Sequence, residues 1–193
     1  MQWKELKSDI QLSSLTEAFG GFDCLSALYV MSNLVHGVRV YAVTACTDAV
    51  LSHVRSGRKE VGGLLLGRVY QGSGQGHNST DMLIHLTKAV PSIDYFSSAV
   101  SLEMGTEVWC RVNEDISEGN IVVGWYHSHP NLGAFFSGTD RRTQRAFFNH
   151  HYSLGWVIDP FRDEQKVYCG AESQEYHHPI LMLDQNLDMV QNH

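Results

Sequence analysis

Positive charge is scarce in this sequence. Lys and Arg number 14 against 21 Asp and Glu, a formal net charge of −7. Surfaces that hold nucleic-acid backbones or anionic membranes rely on concentrated cations, so this balance argues against both kinds of partner. Cysteine is sparse and scattered, at Cys24, Cys46, Cys110 and Cys169, with no CxxC pair. That argues against a thiolate zinc knuckle and against a disulfide-stapled secreted fold. The longest early apolar run, Cys24 to Met31, is broken by Ser26 and is too short to span a bilayer. The opening MQWKELKSDIQL lacks the basic-then-apolar order of an export signal, so a cytoplasmic location is expected. Three motifs are also missing: HExxH of the zincins, HxE…PCxxC of the zinc deaminases, and the Lys-Ser/Thr of a phosphate-binding P-loop.

What is present suits one medium-sized domain. The chain has 193 residues, 43% of them hydrophobic, enough apolar material for a core. Residues 1–35 read as an N-terminal extension with helical spacing at Leu15, Ala18 and Phe19. Residues 36–175 form the main domain and 176–193 a tail. Within the domain, Val38–Ala42 alternates as a strand, and Thr47–Asp48 opens a helix carrying Val50, Leu51 and Val54 to a stop at Gly57. Val61–Tyr70 and residues 82–90 are apolar strands around the loop QGSGQGHNST, the first with glycines at close backbone approaches. A helix over 103–117, with Val108, Trp109, Val112 and Ile116 inward and Gly119 as its cap, precedes the central strand IVVGWY. A helix over 139–148 and strands at 154–159 and 166–170 complete the pattern. The expected fold class is α/β, a mixed central sheet flanked by helices.

Histidine is the notable abundance, with 11 residues. The central strand runs into His127-Ser128-His129-Pro130, where a bend at the strand end is expected to let the two imidazoles converge. Pro130 holds His129 extended. Ser137 and Asp140 follow in HSHPNLGAFFSGTD, at the start of a helix. Two imidazoles and a carboxylate are a three-ligand zinc set that leaves a fourth position open, the pattern of a catalytic rather than a structural site. Such a site needs a carboxylate base near the metal but off it. Glu60, at the head of the strand VGGLLLGRV, is expected at the same sheet edge. His150-His151 and His177-His178 read as solvated loop residues. His36, His53, His77, His85 and His193 read as structural or exposed. Asp159 and Asp163, around Pro160, read as turn residues.

Glu60 with VGGLLLG, followed by HSHPNLGAFFSGTD, resembles the JAMM (MPN+) zinc metalloprotease signature E…HxHPx(6)SxxD without insertion or deletion. The likeness runs over roughly residues 38–171 and is closer to the deubiquitinase branch than to the RadC branch. It implies a cytidine-deaminase-like single domain with one Zn2+ held by His127, His129 and Asp140, and water as the fourth ligand. Glu60 would act as the base and Ser137 as the oxyanion donor. The implied reaction is hydrolysis after the C-terminal glycine of ubiquitin or a ubiquitin-like protein, whose tail lies as an added strand in a groove near Ile93–Val100 and the stretch after Asp140. It also implies a prokaryotic source, with E1-like and E2-like conjugation enzymes encoded nearby and a role in antiviral defence. Three alternatives stand beside this. One is a peptidase acting on a sulfur-carrier-like protein or peptides. Another is a non-catalytic scaffold that binds a ubiquitin-like tail. The last is Ser137 as a plain helix N-cap, compatible with catalysis.

Overall fold

Strand β2 (Val38–Val43) passes into helix α1 (Thr44–Val54) with no intervening loop. The helix therefore starts three residues before the expected Thr47, its N-cap being Val43, which offers no side-chain cap. It ends at Val54, ahead of Gly57. The computed structural model describes residues 13–14, 37–71, 81–92, 95–98, 101–104, 106–116 and 120–183. The expected helix around Leu15–Phe19, most of the Gly/Ser loop and the Gly119 cap lie outside these residues.

The remaining elements follow in chain order. They are β1 (Ser13–Ser14), β3 (Gly62–Gln71), β4 (Met82–Pro91), β5 (Tyr95–Ser98), β6 (Ser101–Met104), α2 (Thr106–Ile116), β7 (Ile121–Ser128), α3 (Gly138–Phe147), β8 (Leu154–Asp159), β9 (Glu164–Cys169), β10 (Gln174–Tyr176) and β11 (Leu181–Leu183). The main sheet has the order β10-β9-β8-β7-β3-β4-β2-β11, and β1 pairs with the far end of β3. It is mixed: β2 is parallel to β4, β7 to β8, β11 to β2 and β1 to β3, whereas β3 is antiparallel to β4 and β7. The fold is thus the expected α/β arrangement. β5 and β6 form a separate antiparallel hairpin; residues 93–94 and 99–100 of the expected groove lie outside the described residues.

Both faces of the sheet are covered. On one, Cys46, Val50 and Val54 of α1 pack on Val40, Ala42, Leu65, Ile84, Leu86 and Val123. On the other, Val108 and Val112 of α2 meet Leu64, Leu66, Trp125 and Val157. Fully burying such side chains stabilises the fold by about 1.5–3 kcal/mol each. Two expected inward residues of α2 turn outward: Trp109 is 36% and Ile116 44% exposed. The buried stripe is the i, i+4 pair Val108 and Val112. Trp109 lies a third of a turn away and stacks on Phe148, and Ile116 is the last residue of the helix.

Two glycines admit close neighbours on β3. A Cβ at Gly63 would stand 2.4 Å from the Val90 carbonyl oxygen, and one at Gly67 would stand 2.0 Å from that of His85. Gly67 also marks the register shift between β3 and β4, so the bulge and the absent side chain belong together.

Candidate metal centre

Strand β7 does not stop at Tyr126, and no bend is needed to bring the histidines together. The strand continues through Ser128, paired to β8 as far as Ser128↔Ile158. Residues i and i+2 of a strand share a face. His127 and His129 therefore project together, with Nε2 atoms 3.2 Å apart. The expectation that a bend at the strand end brings them together is corrected on that ground. The backbone is pinned on both flanks: Ser128 N donates to Val61 O at 2.9 Å and His129 N to Ile158 O at 2.8 Å.

Asp140 arrives from helix α3 through a capping box. Its backbone N–H donates to Ser137 Oγ at 3.2 Å, while Ser137 N donates to Asp140 Oδ2 at 2.6 Å. The plain N-cap reading of Ser137 is thus present in the structure. The box also holds the carboxylate facing the histidines, with Oδ1 3.4 Å from His127 Nε2 and Oδ2 3.7 Å from His129 Nε2.

These separations fit a metal. Bonds of about 2.0–2.1 Å in a tetrahedron place neighbouring ligand atoms about 3.3 Å apart. The two imidazole nitrogens are 3.2 Å apart, and each faces a different oxygen of the carboxylate, at 3.4 Å for His127 and 3.7 Å for His129. All three residues are buried, and they form the one such His/Cys/Asp/Glu cluster found among the described residues. Burial pushes the Asp140 carboxyl up, but the hydrogen bond and charge of His127 and the hydrogen bonds of Ser137 outweigh it, lowering its pKa to about 2. Burial, then His127, holds His129 below its ordinary pKa against the pull of Asp140 and Glu60. Both groups are therefore deprotonated near neutral pH, the state a metal ligand requires.

Glu60 stands just ahead of β3, where the register Gly62↔His127 sets it beside the histidine end of β7. Val61 N donates to Ser128 Oγ at 3.0 Å and fixes the backbone there. Glu60 is partly buried. Burial raises its pKa; His129 pulls it down and Asp140 pushes it up again. A raised pKa makes the Glu60 carboxylate a stronger proton acceptor than an ordinary one, at the edge where the histidines stand.

The histidines are held differently. His129 Nδ1 lies 3.3 Å from Gly133 O, and because a carbonyl only accepts, Nδ1 carries the proton and Nε2 presents its lone pair. His127 stacks on Trp125 at 4.6 Å between ring centroids and 10° between planes. Trp125 Nε1 donates to Gln144 Oε1 at 2.6 Å. Gln144, fully buried, donates from Nε2 to the carbonyls of Phe148, Ser153 and Gly170. Neither Gln144 nor Trp125 stands out in the sequence as more than a helix or strand residue. Asp159 is a turn residue as expected, with Oδ1 accepting from Phe161 N and Arg162 N, but it also accepts from Asn131 N and Gly133 N across the site.

Of the other histidines, His150, His151, His177 and His178 are exposed. His53 Nδ1 lies 2.9 Å from Tyr126 Oη, and His85 is buried, its pKa lowered to about 4 by burial and then by Arg68. His36, His77 and His193 lie outside the described residues. No helix among the described residues is long and apolar enough to cross a membrane.

Comparison with known proteins agrees with the motif and the geometry. The family described as prokaryotic homologues of the JAB domain matches residues 44–168. A COP9 signalosome complex subunit 5 from Dictyostelium discoideum is 37% identical over 132 residues, 63% of this chain and 36% of that protein. The NAD(+) hydrolase TcpA of a Theionarchaea archaeon is 29% identical over 108 residues, 55% of this chain and 29% of that protein. The chain thus matches about a third of the length of these relatives. The solution structure of protein DSY2949 from Desulfitobacterium hafniense shares the fold. It has a TM-score of 0.58 and 19% identity, over 80% of this chain and 99% of that one. The chain belongs to the prokaryotic homologues of the JAB domain, within the JAMM (MPN+) family whose residue pattern it carries at Glu60 and from His127 to Asp140.

Proposed function

We propose that this chain is a zinc-dependent isopeptidase or peptidase that hydrolyses the bond after the C-terminal glycine of a ubiquitin-like protein. The observation that carries the reading is the convergence of the two imidazole nitrogens and the carboxylate of His127, His129 and Asp140, with Glu60 at the same sheet edge and under the charges of His129 and Asp140. Zinc bound there supplies Lewis acidity and lowers the pKa of water to about 7. The chain's own residues do the rest. Glu60 accepts a proton from the attacking water and delivers it to the departing amine, so that a C–O bond replaces the C–N bond and the proton ends on the amine. The Ser137 hydroxyl, whose oxygen accepts from Asp140 N, keeps its own hydrogen to donate to the carbonyl oxygen as charge develops.

The ubiquitin-like substrate is what the resemblance to the JAMM (MPN+) pattern implies, and E1-like and E2-like enzymes are proposed as functional neighbours on the same ground. The test is cleavage of a ubiquitin-like protein fused through its terminal glycine, with the wild type beside Glu60→Gln. Cleavage by the wild type and its loss in the variant support the reading; equal activity of both refutes the mechanism. Inactivity on the fusion with hydrolysis of free peptides moves the substrate to peptides, and NAD(+) hydrolysis moves it to the activity named for the archaeal relative. Zinc binding without any hydrolysis favours a scaffold.

A further inference from the structure

We propose that the turn joining β8 to β9 is the device that aims His129, with Asp159 as the positioning residue and Glu164 as its support. The inference rests on the reading of His127, His129 and Asp140 as a metal site. The loop between His129 and Ser137 has no sheet partner, so its backbone donors need acceptors from elsewhere. The hairpin supplies them. Asp159 Oδ1 accepts from Asn131 N at 3.1 Å, and Oδ2 accepts from Gly133 N at 2.8 Å. Glu164 Oε2 accepts from Ala134 N at 3.2 Å, and Tyr168 Oη accepts from Phe136 N at 3.3 Å. Asp159 and Glu164 are register partners at the end of the hairpin, so one rigid element grips four successive points of the loop.

The grip centres on the carbonyl that orients His129. Gly133 has φ +89, a conformation that side-chain-bearing residues avoid, and Asn131 has φ +64. Asp159 fixes the peptide plane ahead of Gly133, and Glu164 fixes the plane after it. The second plane carries the Gly133 oxygen, which accepts from His129 Nδ1. That hydrogen bond sets the tautomer and the ring's direction. Outer-shell bonds of this kind change metal affinity by about 10- to 100-fold when lost. A fully buried carboxylate is also more than a turn requires: the turn donors Phe161 N and Arg162 N use Oδ1, whereas Oδ2 serves Gly133, with Arg162 Nε at 3.7 Å.

Asp159→Asn separates the two duties. A single amide oxygen keeps the donors at the Oδ1 position and turns an NH2 group against Gly133 N–H. Two readouts decide the matter. Zinc affinity by chelator competition at neutral pH falls at least tenfold in Asp159→Asn and several-fold in Glu164→Ala. It holds in Val50→Ala, a core truncation in the cluster on the other face of the sheet from Ala134 and Phe136, which lowers stability alone. In the metal-free protein, 15N–1H spectra place the His129 ring proton on Nδ1 in the wild type and move it towards Nε2 in Asp159→Asn. Asp159→Asn that binds zinc within twofold of the wild type, or keeps the Nδ1 proton, overturns the proposal. If Asp159→Asn does not fold, unchanged affinity in Glu164→Ala overturns it and a several-fold loss supports it. A wild type that takes up no zinc refutes the metal-site reading itself, and the metal-free spectra then decide the positioning claim separately.

Discussion

Ser137 and Asp140 hold each other: the serine oxygen accepts from the aspartate's backbone N–H at 3.2 Å, and the aspartate's carboxylate accepts from the serine's N–H at 2.6 Å. The reciprocal bond starts helix α3 and aims a carboxylate at two buried imidazoles. One residue pair thus serves local folding and site geometry together, and its two roles can be pulled apart.

Ser137→Gly tests the separation. Glycine is a tolerable N-cap, costing only a few tenths of a kcal/mol against serine, and the bond from the residue 137 N–H to Asp140 survives. Loss of the hydroxyl removes an oxyanion donor worth about 3–4 kcal/mol, or about 10²–10³ in kcat. The expected result is a nearly unchanged melting temperature with that loss of turnover. Ser137→Ala loses the same turnover and about 1 kcal/mol of stability as well. Steady-state kinetics beside thermal unfolding distinguish the roles.

Glu60→Gln leaves the three ligands in place, so zinc binding holds while turnover falls by about 10²–10⁴-fold, the range for a lost general base. Metal content of the variant, measured alongside its rate, checks this. Loss of metal together with activity would place Glu60 among the ligands instead.

Much of this site is visible in the sequence because its parts lie close along the chain. His127, His129, Ser137 and Asp140 fall on one strand, turn and helix start, and spacing there translates directly into geometry. Glu60 is further off, but its place at the head of a Gly-rich strand beside the central one sets it at the histidine end, where Gly62 pairs with His127. Asp159 is different. It touches Gly133 across 26 positions, and only the parallel register of β7 and β8 brings the two together. Gln144 is likewise hidden, since a polar residue on an amphipathic helix reads as surface until its four partners are known. The start of α1 is not legible in the sequence, because the chain turns from strand to helix without a loop or a side-chain cap, and sequence signals for helix starts depend on caps.

Gln144→Leu probes the hidden support. The side chain accepts from Trp125 Nε1 and donates to the carbonyls of Phe148, Ser153 and Gly170. Removing it strands buried polar groups that cost about 1–3 kcal/mol each when unsatisfied, with incomplete additivity. A loss of about 3 kcal/mol, or about 6–12 °C in melting temperature, is expected. Zinc affinity also falls, because Trp125 is the surface on which His127 stacks.

Acid should reveal Asp140. Its folded pKa of about 2 lies below the unfolded value of about 3.9. The group therefore contributes stability that is fully present above about pH 4 and is lost as pH falls through about 2. Urea unfolding of metal-stripped protein at stepped pH checks this. The wild type loses stability over that window, and Asp140→Asn shows a shallower fall.

The most direct measurement is the zinc content and coordination of the purified wild-type chain at neutral pH. X-ray absorption is expected to show one zinc per chain, four-coordinate, with nitrogen and oxygen neighbours at about 2.0–2.1 Å and the outer scattering of two imidazoles. His127→Ala and His129→Ala should each remove one imidazole or the metal itself. A wild type that takes up no zinc, or one whose zinc spectrum is the same in both variants, contradicts the metal centre at His127, His129 and Asp140.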